Sequence, residues 1–203
     1  MRNIVALILD AALVLIVACC TVHDVFFETD GITYFWRYTS LSNILAATAC
    51  LLSLPYDVAA VRGSSTTTLL PAWLRTLKLA GCATVMVTFL TVFCFLGFMV
   101  GHLQLLRDSQ FFLHLVAPLL MLVVCCAVQR ISTGLPRRAA ALAVVLTFAY
   151  ALVYLYMVVF TGQWEDFYHF NIGGMWPVSM VAMMAVAAVV SLGCWKLSGG
   201  SKR

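Results

Sequence analysis

Two side chains in this 203-residue chain pair a weak nucleophile with a base that could activate it. Thr39 lies in the run Trp36-Arg37-Tyr38-Thr39-Ser40-Leu41-Ser42-Asn43, and His114 in Phe111-Phe112-Leu113-His114-Leu115-Val116-Ala117-Pro118. A hydroxyl attacks an acyl carbon only when a neighbouring base takes its proton, and histidine is the usual base. Ser42 and Asn43 follow Thr39 by three and four residues, so a helix places all three on one face. The same groups also serve as hydrogen-bonding glue between helices, with His114 as their partner, and spacing alone leaves both readings open. Pro118 has no N–H, which leaves the carbonyl of His114 without its helical partner and favours a kink there.

Three further residues could handle protons or ligands. Asp166 and His169 stand three apart in the aromatic run Phe160-Thr161-Gly162-Gln163-Trp164-Glu165-Asp166-Phe167-Tyr168-His169-Phe170-Asn171. They could orient one another above the Thr39 region or share a metal, while Trp164 and Phe167 suit a membrane interface. No H-E-x-x-H, C-x-x-C or paired Cys/His spacing occurs, so neither a metal nor a cofactor is expected. The eight cysteines read as small packing residues. Asp10 lies within an apolar run, where a carboxylate must be protonated or paired with a polar group or water. It is the candidate proton-coupling residue of a carrier. The stripes Thr84, Thr88, Thr91 and Thr147, Tyr150, Tyr154 are either its receivers or packing seams.

The elements that must position these groups follow from composition. The chain is 64% hydrophobic and 10% charged, with a mean hydropathy of +1.02. A soluble domain carries about a quarter charged residues, so an ordinary globule, a disordered chain and a disulfide-stapled secreted domain are all excluded. Apolar runs at 3–22, 38–61, 76–101, 111–128, 139–160 and 176–195 each reach the roughly 20 residues that span a bilayer. They lack the alternation of barrel strands. An all-α bundle of six transmembrane helices in one domain is predicted. The turns fall at Thr29-Asp30-Gly31, Arg62-Gly63-Ser64-Ser65, Arg107-Asp108-Ser109, Ser132 to Pro136 and Asn171 to Gly174.

The charges then locate themselves. Arg2, Arg62, Arg75, Lys78, Arg130, Arg137, Arg138, Lys196, Lys202 and Arg203 fall on one side of alternating spans, against Arg37 and Arg107 on the other. Lys and Arg are retained in the cytoplasm, so both termini are expected there, in a multi-pass protein of the cell membrane. The formal charge of +4 thus reports orientation, and no nucleic-acid partner is implied. Ile16-Val17-Ala18-Cys19 resembles a lipoprotein cleavage box, but Asp10 interrupts the apolar region that a signal peptide needs.

Taken in order, Tyr38-Thr39-Ser40-Leu41-Ser42-Asn43, then Phe112-Leu113-His114 to Pro118-Leu119-Leu120, then Asp166 to Asn171 resemble a family of small six-span bacterial membrane proteins. That family carries a Y-x-T-x-x-S-N-like second helix and an H-x-x-x-P fourth helix. It is distantly similar to the androgen-induced membrane proteins of animals, which hydrolyse fatty acid esters of hydroxy fatty acids with an intramembrane threonine and histidine. The resemblance implies Thr39 as nucleophile and His114 as base. It also implies membrane lipids as surroundings and a lipid ester as substrate. Asn43 and the Asp166 loop belong to the bacterial group and have no counterpart to map onto the animal enzymes. Three functions stand side by side: a threonine-dependent ester hydrolase opening to the outer leaflet, a carrier or binding protein for a small or lipidic molecule, and an accessory subunit. Oligomeric state is left open.

Overall fold

A bilayer offers no hydrogen-bond partner to the backbone, so an apolar chain must satisfy its own amides within each crossing, and a helix does so locally. The computed structural model describes residues 1–28, 31–63 and 70–201, and among these all regular structure is helical. Thr29, Asp30, Ser64, Ser65, Lys202 and Arg203, part of the expected turns and flanking charges, lie outside the described residues. Six helices are long and apolar enough to cross a membrane: α1 (Arg2–Phe26), α2 (Tyr38–Val61), α3 (Ala72–Leu105), α4 (Asp108–Val128), α5 (Arg137–Phe160) and α6 (Trp176–Leu197). The protein is a multi-pass membrane bundle. Every predicted run becomes a helix, and α1, α3 and α4 extend by about a turn where polar residues at the helix ends find partners.

Hydrogen bonds between connections show which ends meet. At one end Asn3 Nδ2 donates to the Ala60 carbonyl (3.2 Å), Arg75 to that of Thr133 (2.6 Å), and Ser198 Oγ to Ser132 Oγ (2.6 Å). This end carries both termini. At the opposite end Gln110 donates to Asp24 (3.2 Å) and Tyr150 to the Trp36 carbonyl (2.8 Å). Lys78 departs from the expected flank of surface charge. It is completely buried, because α3 runs through the middle of the bundle and takes the ammonium inside, so it no longer counts toward orientation.

Helix α3 is buried on all sides from Leu79 to Val85. Gly81 permits this, since a Cβ there would stand 2.9 Å from the Cα of Ala46 on α2. Backbone cannot step aside as a flexible side chain would. Gly81→Ala is therefore expected to force α2 and α3 apart and cost about 1–3 kcal/mol, the range of overpacked cores. Thermal unfolding in detergent measures it, and an unchanged melting temperature would show that the helices slide freely. The eight cysteines are free thiols, with Cys50, Cys82 and Cys125 fully buried in the core.

Gly97 and Gly101, spaced for close helix approach, act otherwise. Gly101 takes a positive φ (+102°), turning the chain back so that His102 lies against Gly97, where a Cβ would collide with the imidazole. His102 Nε2 donates to the Phe93 carbonyl (3.1 Å), closing the turn. The returning segment, His102–Leu105, sets a main-chain carbonyl over the start of α4.

Candidate functional site

Thr39 sits in the first turn of α2, which begins after Arg37 adopts an extended conformation (φ −88°, ψ 135°). His114 sits in a π-helical stretch of α4, Phe112–Val116. The two meet: Thr39 Oγ1 lies 3.4 Å from His114 Nε2, and both residues are 6% exposed. That separation is long for a hydrogen bond to nitrogen, although catalytic contacts often tighten only once substrate is bound. The other ring nitrogen determines the tautomer. Nδ1 lies 2.7 Å from the Leu105 carbonyl, which can only accept, so Nδ1 carries the hydrogen. In the neutral ring Nε2 then presents its lone pair to the Thr39 hydroxyl.

Ser42 and Asn43 hold this arrangement in place. Ser42 Oγ donates to the Thr39 carbonyl (3.0 Å) and pairs with Thr88 Oγ1 on α3 (3.0 Å). Asn43 Nδ2 donates to the Thr39 carbonyl (2.8 Å) and to the Leu113 carbonyl (3.1 Å). The second bond has a local cause. In the π-turn the Ala117 N–H reaches back five residues to Phe112 rather than four. Leu113 would then look to residue 118, which is proline and has no N–H. The carbonyl that takes a side-chain donor is thus that of Leu113, one residue before the expected His114. Both side chains thus tie helices together around Thr39, a supporting role.

A narrow cavity of about 40 Å³ opens beside Thr39, walled by Tyr38, Thr88, Tyr150, Tyr154 and Tyr168 among others. At roughly 10–15 Å³ per water-sized probe, it has room for a few waters and not for an acyl chain. A larger molecule enters only if α2, α3 and α5 part. Most of the tyrosine hydroxyls are occupied by the scaffold: Tyr38 with Thr147 Oγ1 (2.7 Å) and Tyr150 with the Trp36 carbonyl (2.8 Å). Tyr168 differs, because its oxygen accepts the Tyr38 N–H (2.8 Å) and its hydroxyl also adjoins the side chains of Thr39 and Tyr150. Loss of hydration pushes its phenol above the ordinary value. Sequence reading missed Tyr168, whose aromatic loop looked like an interface anchor.

Asp166 and His169 do not orient one another through their side chains. One Asp166 oxygen accepts the Tyr154 hydroxyl (3.0 Å) and the Phe170 N–H (2.7 Å), and the other accepts the Asn171 N–H (2.8 Å). The carboxylate is consumed in folding its own loop, and the His169 N–H donates to the main-chain carbonyl of Asp166 instead (3.0 Å). Among the described residues no group of three or more His, Cys, Asp or Glu stands ready to hold a metal.

Asp10 lies at the other end, apart from the threonine and tyrosine stripes. Its Oδ2 takes Lys78 Nζ at 2.5 Å and Gln129 Nε2 at 3.1 Å. Gln129 reaches on to Asp57 Oδ1 (3.2 Å), and its own Oε1 accepts from Lys78 (2.8 Å). Asp57, Lys78 and Gln129 were missed as partners. A signal existed, since Asp10, Asp57 and Lys78 all lie one to two turns inside the same end of their helices. No family model, no curated protein and no solved structure matches the chain.

Proposed function

We propose that this multi-pass membrane protein is a threonine-dependent hydrolase of amphiphilic lipid esters, seated in the cell membrane with both termini in the cytoplasm. The orientation rests on Arg2, Arg62, Arg75, Arg130, Arg137, Arg138 and Lys196 standing on the side of the termini, the side Lys and Arg mark as cytoplasmic. The Thr39–His114 pair then faces the outer leaflet. The observation that carries the chemistry is the Leu105 carbonyl on His114 Nδ1, which leaves the basic nitrogen turned toward the Thr39 hydroxyl.

In the proposed reaction Thr39 Oγ1 attacks the ester carbonyl as its proton passes to His114 Nε2. The tetrahedral oxyanion collapses, the C–O bond to the alcohol breaks, and His114 returns the proton to the departing alkoxide. Water, deprotonated by the same nitrogen, then attacks the acyl carbon; the bond to Thr39 Oγ1 breaks, Thr39 takes the proton back from His114, and the acyl group leaves as a fatty acid. Tyr168, which lines the same cavity with its hydroxyl beside the Thr39 side chain, is the group placed to steady the oxyanion. The Leu105 carbonyl does for His114 what a carboxylate does in a hydrolytic triad, as an uncharged acceptor suited to a buried site. The resemblance to the six-span bacterial family and its animal relatives supports the same roles.

A fluorophosphonate ester probe tests the reading. Folded protein in lipid nanodiscs is expected to gain one adduct, mapped by mass spectrometry to the peptide with Thr39, and to gain none after Thr39→Val. A folded parent that never takes up the probe would remove the nucleophile. The second reading, a carrier, is favoured by the ion cluster around Asp10, and uptake that ignores the proton gradient would count against it.

A further inference from the structure

Four polar side chains from four parts of the bundle meet near the end that carries the termini, independently of the Thr39 site. Asp57 and Thr39 are 18 positions apart on α2, about 27 Å by helical rise. The cluster has an unbalanced charge. Lys78 supplies one positive charge and bonds to Asp10 and Gln129, but Asp10 and Asp57 supply two negative charges if both ionise. The Asp57 carboxyl adjoins that of Asp10 and shares with it the field of the one ammonium, Lys78. Asp10 Oδ1 and Asp57 Oδ2 are both buried without a hydrogen-bond partner among the described residues. A surplus charge on two largely buried carboxyls is costly, and one bound positive charge removes it.

We infer that the Asp10–Asp57 carboxyl pair is a proton-binding site that holds one exchangeable proton, reached from the side of the termini. The choice of a proton over a metal cation follows from Gln129. Lys78 can only donate, so it draws the Gln129 Oε1, and the amide must turn its NH₂ toward both carboxylates. A metal ion between them would face an ammonium and an amide donor instead of a cage of oxygens. A proton needs only the two free carboxyl oxygens. The other groups nearby are the thiols Cys50 and Cys125, beside Lys78. Access is provided by a cavity of about 670 Å³ whose wall includes Asp57 and Gln129 together with Arg2, Arg75 and Arg130. The three guanidinium groups repel metal cations, whereas water in the cavity can deliver a proton. Asp57 is the point of entry, since Asp10 and Lys78 lie behind the wall.

Infrared spectroscopy of the full chain in nanodiscs at neutral pH, in H₂O and D₂O, tests the site. The parent spectrum minus that of Asp57→Asn is expected to show one protonated carboxyl per chain, its band moving to lower frequency in D₂O. Asp57→Glu should retain a band at a shifted position. Asp10→Asn strips Lys78 of its counter-ion and can fail to fold, so Asp57→Asn, which leaves the Asp10–Lys78 pair intact, carries the test. A difference spectrum without a lost carboxyl overturns the inference. Loss of that band combined with a melting temperature that rises with sodium, at constant ionic strength in choline, overturns it in favour of a metal cation. Probe labelling at Thr39 is read separately, so this site and the hydrolase stand or fall independently.

Discussion

His114→Ala is expected to lower the hydrolysis of a short-chain fatty ester presented in micelles by about 10²–10⁴-fold, the usual contribution of a positioned general base. The effect should fall on turnover, since the imidazole does not wall the cavity beside Thr39. Truncation also leaves the Leu105 carbonyl without its donor, at an expected cost of about 1–3 kcal/mol. His114→Gln separates the two effects. Its amide can still donate to Leu105 while offering no base, so stability should recover and activity should not. Thr39→Ser should keep much of the activity, because the hydroxyl remains within reach of Nε2. Activity should fall in acid, where a protonated ring cannot accept the Thr39 proton. Ester turnover measured beside thermal unfolding checks the set, and full activity in a folded His114→Gln variant would remove the histidine from the mechanism.

Lys78→Met carries the largest expected effect on stability. It leaves the Asp10 carboxylate buried with no counter-charge, a loss of about 3–5 kcal/mol for a broken buried pair. The double variant Asp10→Leu/Lys78→Met removes both charges and should recover most of that loss, because desolvating the pair offsets much of its attraction. Unfolding in mixed detergent micelles, followed by tryptophan fluorescence, reads both. A single variant as stable as its parent would mean that water reaches Asp10 and hydrates the lone carboxylate.

These two residues also mark how far the sequence could be read. The histidine was identifiable by type, because an imidazole within an apolar run is costly and demands a reason. Its partner at Nδ1 was not, since every residue carries a carbonyl, and Leu105 reaches the ring only because Gly101 reverses the chain. Lys78 was visible yet assigned to the surface flank. A charge six residues inside a helix snorkels to water or points inward according to which face meets its neighbours, and that face is set by packing. Asp166 and His169 formed a helical-looking pair whose carboxylate instead caps a loop, because the segment around it is not helical and its N–H groups needed an acceptor.

What the sequence determined by itself is the set of six helices and their approximate ends, for a reason that involves only local length and polarity. The bilayer forbids unpaired backbone, and about 20 apolar residues suffice to cross it. It also singled out the few polar residues inside those spans. Only the tertiary structure decided which of them meet. Thr39 and His114 are 75 positions apart, and Asp10 and Lys78 are 68 apart. Contacts over such separations depend on helix rotation and on close approaches such as Gly81 against Ala46, which arise from the fit of whole surfaces rather than from any local run of residues.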